Sequence, residues 1–237
     1  MILSARLHGE GSLIVSLMTR HQGRQAGLVR GGASSRTRGL YQPGNRVAAS
    51  WKARLEDHLG QLRCELMEAQ AARWFDEPQR LAGLAAACAM VEATLPERIA
   101  HPASFEALGL LLQALAGEDW PSLYVHFELT LLRELGYGLD LSACAATGSN
   151  DFLAYVSPKS GRAVSLSAGE PYRDRLLKLP SFLVTGAVGG REEVLEGLAL
   201  SGYFLLRHAL THQAGVGAPS FPAARQRLIE RLGQARP

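Results

Sequence analysis

The chain has 237 residues, 47% hydrophobic and 20% charged, a composition that supports a buried core and excludes disordered, collagenous and disulfide-built classes. Its longest stretches free of formal charge, residues 179–190 and 208–224, are broken by Pro, Gly and polar residues, so neither offers the roughly 18 apolar residues of a membrane helix. Arg6 and His8 stand where a signal peptide needs its apolar segment, which predicts a cytoplasmic protein with no membrane association.

Cys64, Cys88 and Cys144 form an odd set at irregular gaps and predict reduced thiols. The net charge of +3 is unevenly spread. Residues 1–55 carry nine basic side chains against Glu10 alone, a charge of +8, while the remainder, with 16 basic and 21 acidic side chains, is −5. A basic module joined to an acidic one points to a polyanionic partner; the competing reading is a solvated charged surface.

In chain order, Leu13, Val15 and Leu17 alternate at period two within 12–19. Leu28 with Val29, Val47 to Ala53 and Leu62 to Leu66 are further short apolar runs between turn residues. These make about five short strands in roughly 65 residues, which suits a small closed barrel such as an OB-fold. After residue 66 the period becomes helical. Asp76 is the expected cap of a helix with Pro78 in its first turn and Leu81, Leu84, Ala85, Cys88, Val91 and Leu95 inward. Helices are expected over about 103–115, from Asp119 to a stop at Gly136 and Gly138, over 191–212 and over 223–232. Residues 140–166, rich in Ser, Gly and Ala, read as an irregular insert. The expected class is α+β: an N-terminal OB-fold barrel over 1–66 and a helical domain over 67–237.

Chemistry-bearing motifs are scarce: the chain has no GxxxxGK[ST], GxGxxG, GxSxG or HExxH. His208 and His212 are spaced to share a metal, but no carboxylate or Cys is near in sequence to complete a site, and a solvated or helix-capping role competes. The pairs Glu192 with Glu193 and Glu56 with Asp57 read as helix-dipole or solubility residues. No enzyme is expected from these features.

Three segments carry a likeness to a known family. They are Ile2-Leu3, Glu10, Ser12 and Thr19 through Gly23 and Arg24 to Leu28–Gly32, with Gln42-Pro43; then Phe127-Glu128-Leu129, Leu131-Leu132, Leu135-Gly136-Tyr137, Cys144 and Gly148; then Tyr155 to Ser165. The chain resembles the bacterial DNA repair and recombination mediator family RecO over nearly its whole length. Two departures stand out. The first barrel strand is short compared with the family, and the four-Cys zinc knuckle of some members is reduced to Cys144, with Thr147 at the second ligand position. One thiolate cannot hold structural zinc, so the insert over 140–166 is expected to be a metal-free knuckle held by hydrogen bonds and by packing of Phe152 and Tyr155. No cofactor is expected.

The resemblance implies a non-enzymatic role: binding single- and double-stranded DNA, annealing strands, and loading recombinase onto DNA coated with single-strand-binding protein (SSB), in association with the nucleoid. Its implied partners are RecR and the acidic, Phe-ended tail of SSB. Arg chemistry supports DNA contact independently, since each guanidinium is a bidentate phosphate donor. The candidate contacts are Arg20, Arg24, Arg30, Arg36, Arg38, Arg46, Lys52 and Arg54; Tyr41 and Trp51 are candidates for base stacking, with core packing the competing role of Trp51. For the SSB tail, His126, Arg133 and Arg207 are the candidates. The alternative is a protein-interaction scaffold whose truncated barrel no longer binds DNA.

Overall fold

The computed structural model describes residues 1–53, 59–211 and 218–234. The chain falls into two compact units, Met1–Gln113 with Pro222–Leu228, and Ala114–Phe221 with the chain from Ile229 onward.

The first unit is built on five strands: β1 (Ile2–His8), β2 (Ser12–Thr19), β3 (Gly23–Val29), β4 (Arg46–Lys52) and β5 (Gly60–Glu68). They lie in the order β1-β2-β3-β5-β4. β1, β2 and β3 form an antiparallel meander, β3 meets β5 in parallel at Gly27↔Gly60 and Leu28↔Gln61, and β5 returns antiparallel to β4. This is an OB-fold-like sheet in an α+β chain, as expected, but the expected closure is not complete: among the described residues β1 and β4 form no ladder. In place of a ladder, the Ile2 N–H donates to the Asn45 carbonyl at 2.9 Å and the Gly44 N–H donates to the Ile2 carbonyl at 2.8 Å. Two bonds just ahead of β4 hold the seam.

Leu13, Val15 and Leu17 point to the sheet's own core with Ile2, Val29, Tyr41 and Leu62, as period two requires. Ser16 and Met18 on the opposite face are buried too, and the first long helix packs on β1. A short turn, α1 (Gln70–Arg73), precedes that helix, α2 (Pro78–Thr94); α3 (Pro102–Ala114) follows. The N-cap of α2 is Glu77, not Asp76, and makes no side-chain capping bond; Pro78 occupies the first helical position, where its missing N–H costs nothing. Cys88 Sγ lies 3.7 Å from the Ile2 carbonyl, and Glu92 accepts from Ser4 Oγ at 2.7 Å and Arg6 at 3.1 Å, fastening α2 to β1.

The second unit contains α4 (Trp120–Glu134), β6 (Leu153–Val156), β7 (Ala163–Ser165), α5 (Leu166–Gly169), a 3-10 turn (Glu170–Arg175), β8 (Leu177–Lys178), α6 (Phe182–Thr185) and α7 (Arg191–Phe204). Gly136, at φ +85°, stops α4 where a left-handed residue is needed. The region read as irregular holds the start of a three-stranded antiparallel sheet, β7-β6-β8. Its strands are two to four residues long, too short to show a period. α7 ends at Phe204 rather than continuing to 212; one π-helical turn, Leu205–Ala209, follows it. Glu128 is fully buried and accepts from Ser201 Oγ, joining α4 to α7. The last helix, α8, spans Ala223–Gln234.

Candidate nucleic-acid interface

Residues 11–55 contain no Asp or Glu, so the cations of β3, β4 and the long loop between them meet carboxylates only from other segments. The described ones divide accordingly. Arg24 on β3 is inward-leaning: Nε donates to the Leu95 carbonyl at the end of α2 at 3.0 Å, and Nη1 meets Glu97 at 3.0 Å, with the side chain only 13% exposed. Arg20 pairs with Glu106 at 3.1 Å and Arg46 with Glu68 at 3.5 Å, both more than half exposed. Arg30, Arg36, Arg38 and Lys52 are exposed and have no carboxylate within ion-pair distance among the described residues. Arg54 lies outside the described residues, as do His212, Glu56 and Asp57.

The loop that carries Arg30, Arg36 and Arg38 is folded on itself. Thr37 Oγ1 donates to the Gly32 carbonyl at 2.9 Å, Asn45 Nδ2 to Gly39 and Leu40 at 2.8 and 3.1 Å, and Gln42 Nε2 to Arg38 at 3.2 Å. Its guanidinium groups therefore start from a fixed backbone, which lowers the ordering cost of binding.

The two aromatic candidates differ. Tyr41 is buried in the sheet core, which leaves little of its ring to stack on a base. Trp51 is half-buried: its indole N–H donates to the Ala26 carbonyl at 3.1 Å, and Gly27 and Gly60 leave room for the ring. The Arg98 guanidinium stands 6.0 Å over that ring.

Sequence reasoning missed two cations. Arg63 on β5 lies opposite Ser50, and Lys52 opposite Gln61, so Arg63 and Lys52 share the outward face of the β4–β5 hairpin. The alternation of Leu62, Arg63 and Cys64 carried that signal. Arg98 arrives from beyond α2 in a backbone with φ +63°, and no local pattern announces it.

In the second unit, Tyr137 and His208 stack at 4.5 Å and 16°, with Phe204 beyond His208 at 6.3 Å. The π-helical turn sets His208 in this stack. Burial, and then the neighbouring Arg207, hold the His208 imidazole below its ordinary pKa. Arg207 Nη1 donates to Tyr203 Oη at 3.3 Å, and Arg133 is exposed one turn before Tyr137. His126 lies two turns earlier on α4, edge-on to buried Phe182 at 5.7 Å, and burial lowers its pKa. Arg207 thus lies next to His208 of the stack, Arg133 is exposed near the end of α4, and His126 stands against another ring.

The knuckle region offers no zinc site. Cys144 is buried and Sγ accepts the Ser165 N–H at 3.2 Å; no group of three potential metal ligands occurs among the described residues. Burial pushes the Cys144 thiol up, but hydrogen bonds from Ser165, Thr147 and the Ala146 backbone outweigh it and bring it down to about 6. Phe152, expected to pack, is instead 84% exposed at φ +49°, while Tyr155 packs against Gly169 and donates its hydroxyl to Glu170 at 3.2 Å. The insert is held by its strand ladder, which an exposed Phe152 does not disturb.

No helix among the described residues is long and apolar enough to cross a membrane. The profile of Recombination protein O N terminal matches residues 1–69, and that of Recombination protein O C terminal matches residues 76–213. The chain is 56% identical to the DNA repair protein RecO of Rhodospirillum centenum, covering 99% of this chain and 93% of that protein. It is 50% identical to the DNA repair protein RecO of Rhodospirillum rubrum (98% and 94% covered) and 51% identical to that of Methylobacterium nodulans (92% and 91%). With both profiles matched and identity of this order along nearly the full length, the chain belongs to the RecO family of DNA repair and recombination proteins.

Proposed function

We propose that this protein acts without catalysis as a DNA-binding recombination mediator, which binds single- and double-stranded DNA, anneals complementary strands and, with RecR, helps load recombinase onto SSB-coated DNA. The observation that carries the reading is the carboxylate-free stretch 11–55, with Arg30, Arg36, Arg38 and Lys52 exposed and unmatched by any described carboxylate. Neutralising phosphates on two strands at once removes the repulsion that opposes annealing, so no proton transfer or nucleophile is needed. Arg24, Arg20 and Arg46 serve this function by shaping the surface; each reaches DNA only by exchanging an internal partner. The acidic SSB tail is assigned to the exposed edge of the Tyr137–His208 stack, where Arg133 and Arg207 supply the cations and Tyr137 the apolar contact.

The test is anisotropy of a labelled single strand over a salt series, with the Arg30, Arg36 and Arg38 to Ala triple variant alongside. The expected result is steep salt dependence whose log–log slope falls by about 2 in the variant, from about 0.7 per lost phosphate contact. Absence of binding at low salt in the unmodified protein would favour the interaction-scaffold reading.

A further inference from the structure

A cavity of about 280 Å³ opens on the barrel between the β1–β2 hairpin and the loop over residues 30–45. Leu7, Leu13, Ala33 and Tyr41 give it apolar walls, and Arg38 and Gln42 stand among its lining residues. Leu7 is 75% exposed on β1, an uncompensated apolar surface on a strand that otherwise keeps its large apolar side chains covered. We propose that this cavity takes one unpaired base of a single DNA strand while Arg38 and its neighbour Arg36 hold the adjoining phosphates. The proposal rests on the DNA-binding reading above and adds a base-capture site away from the sheet face that bears Lys52 and Arg63.

Size, chemistry and charge agree on that occupant. Sites for drug-sized ligands run from roughly 300 to 1,000 Å³, so this one suits a single flat heterocycle. Apolar walls accept the base faces and a side-chain amide can meet the base edge, as in pockets that capture flipped bases. The Gln42 Nε2 already donates to the Arg38 carbonyl at 3.2 Å. Its amide carbonyl and second N–H have no protein partner among the described residues. That bond couples the base-edge reader to the phosphate-binding residue, and the folded loop holds both before any ligand arrives. Charge selects a polyanion, because Glu10 is the only carboxylate in residues 1–55. An acidic peptide ending in Phe would also satisfy the charge and the walls; the base is favoured because Arg30, Arg36 and Arg38 line the same loop, unmatched by any described carboxylate, and offer cations for successive phosphates of a strand.

The experiment compares a mixed-sequence oligonucleotide with an abasic deoxyribose-phosphate strand of equal length on the full-length protein, at low salt. Leu7→Ser and Gln42→Ala change exposed side chains and spare the fold, and Ala33→Phe fills the cavity directly. The base-bearing strand is expected to bind roughly tenfold tighter than the abasic one, and each variant to erase most of that difference; Leu7→Ser leaves the affinity for the abasic strand and its salt slope unchanged, whereas Gln42→Ala, which also releases the Arg38 carbonyl, lowers the abasic affinity by less than it lowers the base preference. Equal binding of both strands, or a base preference untouched by Leu7→Ser and Gln42→Ala, overturns the cavity assignment and leaves DNA binding standing. An acidic Phe-ended peptide that displaces the strand from the unmodified protein but not from the variants also overturns it. Failure of either strand to bind at low salt removes both this assignment and the DNA-binding reading.

Discussion

Gly23 lies so close to Ile99 that a Cβ added to it would stand 1.8 Å from the Ile99 carbonyl oxygen. The same glycine has φ +67°, and the neighbouring Arg24 carbonyl accepts the Arg98 N–H at 2.8 Å. The chain after α2 is therefore laid on β3 backbone to backbone. Gly23→Ala meets both a left-handed backbone and a main-chain collision, and it is expected to cost about 2 kcal/mol or more, a fall in Tm of roughly 4–8 °C. Thermal unfolding followed by circular dichroism measures it; an unchanged Tm would show that this docking does not hold the unit together.

Arg24 and Arg36 are expected to separate stability from binding. Arg24→Ala strands the Leu95 carbonyl at the end of α2 and frees Glu97, with an expected loss of about 1–3 kcal/mol in denaturant unfolding. Arg36→Ala is expected to leave the unfolding midpoint in place and to reduce the single-strand salt slope by about 0.7.

Ser201→Ala removes the hydroxyl that donates to the fully buried Glu128. A buried carboxylate deprived of a donor costs about 1–3 kcal/mol. The loss is expected in the unfolding free energy, while DNA affinity at the barrel stays within error. A neutral outcome would mean that the other contacts of Glu128 satisfy it.

Cys144 is expected to titrate far below the other two thiols. Burial raises Cys64 to about 11 and Cys88 to about 12, whereas hydrogen bonds bring Cys144 to about 6 against the opposing effect of burial. Between pH 5 and pH 9 a single thiolate should therefore appear in ultraviolet absorbance, and Cys144→Ala should abolish it. The folded-state pKa lies below the unfolded one, so this group's stabilisation is fully present above pH 9, the ordinary thiol value, and is lost as pH falls toward 6. The alanine variant should lose that part of the pH dependence.

How far the sequence was legible depended on the range of the interactions. Leu13, Val15 and Leu17 announced β2, and Leu84, Cys88 and Val91 announced the buried side of α2, because local periodicity reports one-sided burial. The bond pair at Ile2, the ion pair of Arg24 and the arrival of Arg98 over Trp51 join residues far apart in the chain, and no window of sequence contains them. The short strands β6, β7 and β8 escaped for another reason: their pairing, not their pattern, defines them. Among the candidate DNA contacts, charge was readable, but which cations would be drawn onto Glu97, Glu106 or Glu68 was set by tertiary packing.

The seam at Ile2 bears on how the barrel is assembled. The β1–β2–β3 meander consists of near neighbours that can zip together soon after they meet, whereas the bonds from Ile2 to Gly44 and Asn45 need the intervening chain to be closed into a loop first. If they consolidate after the rate-limiting step, loosening them speeds unfolding and leaves the folding rate nearly untouched. The two hydrogen bonds at Ile2 are thus expected to bear on the barrel's lifetime more than on its rate of formation.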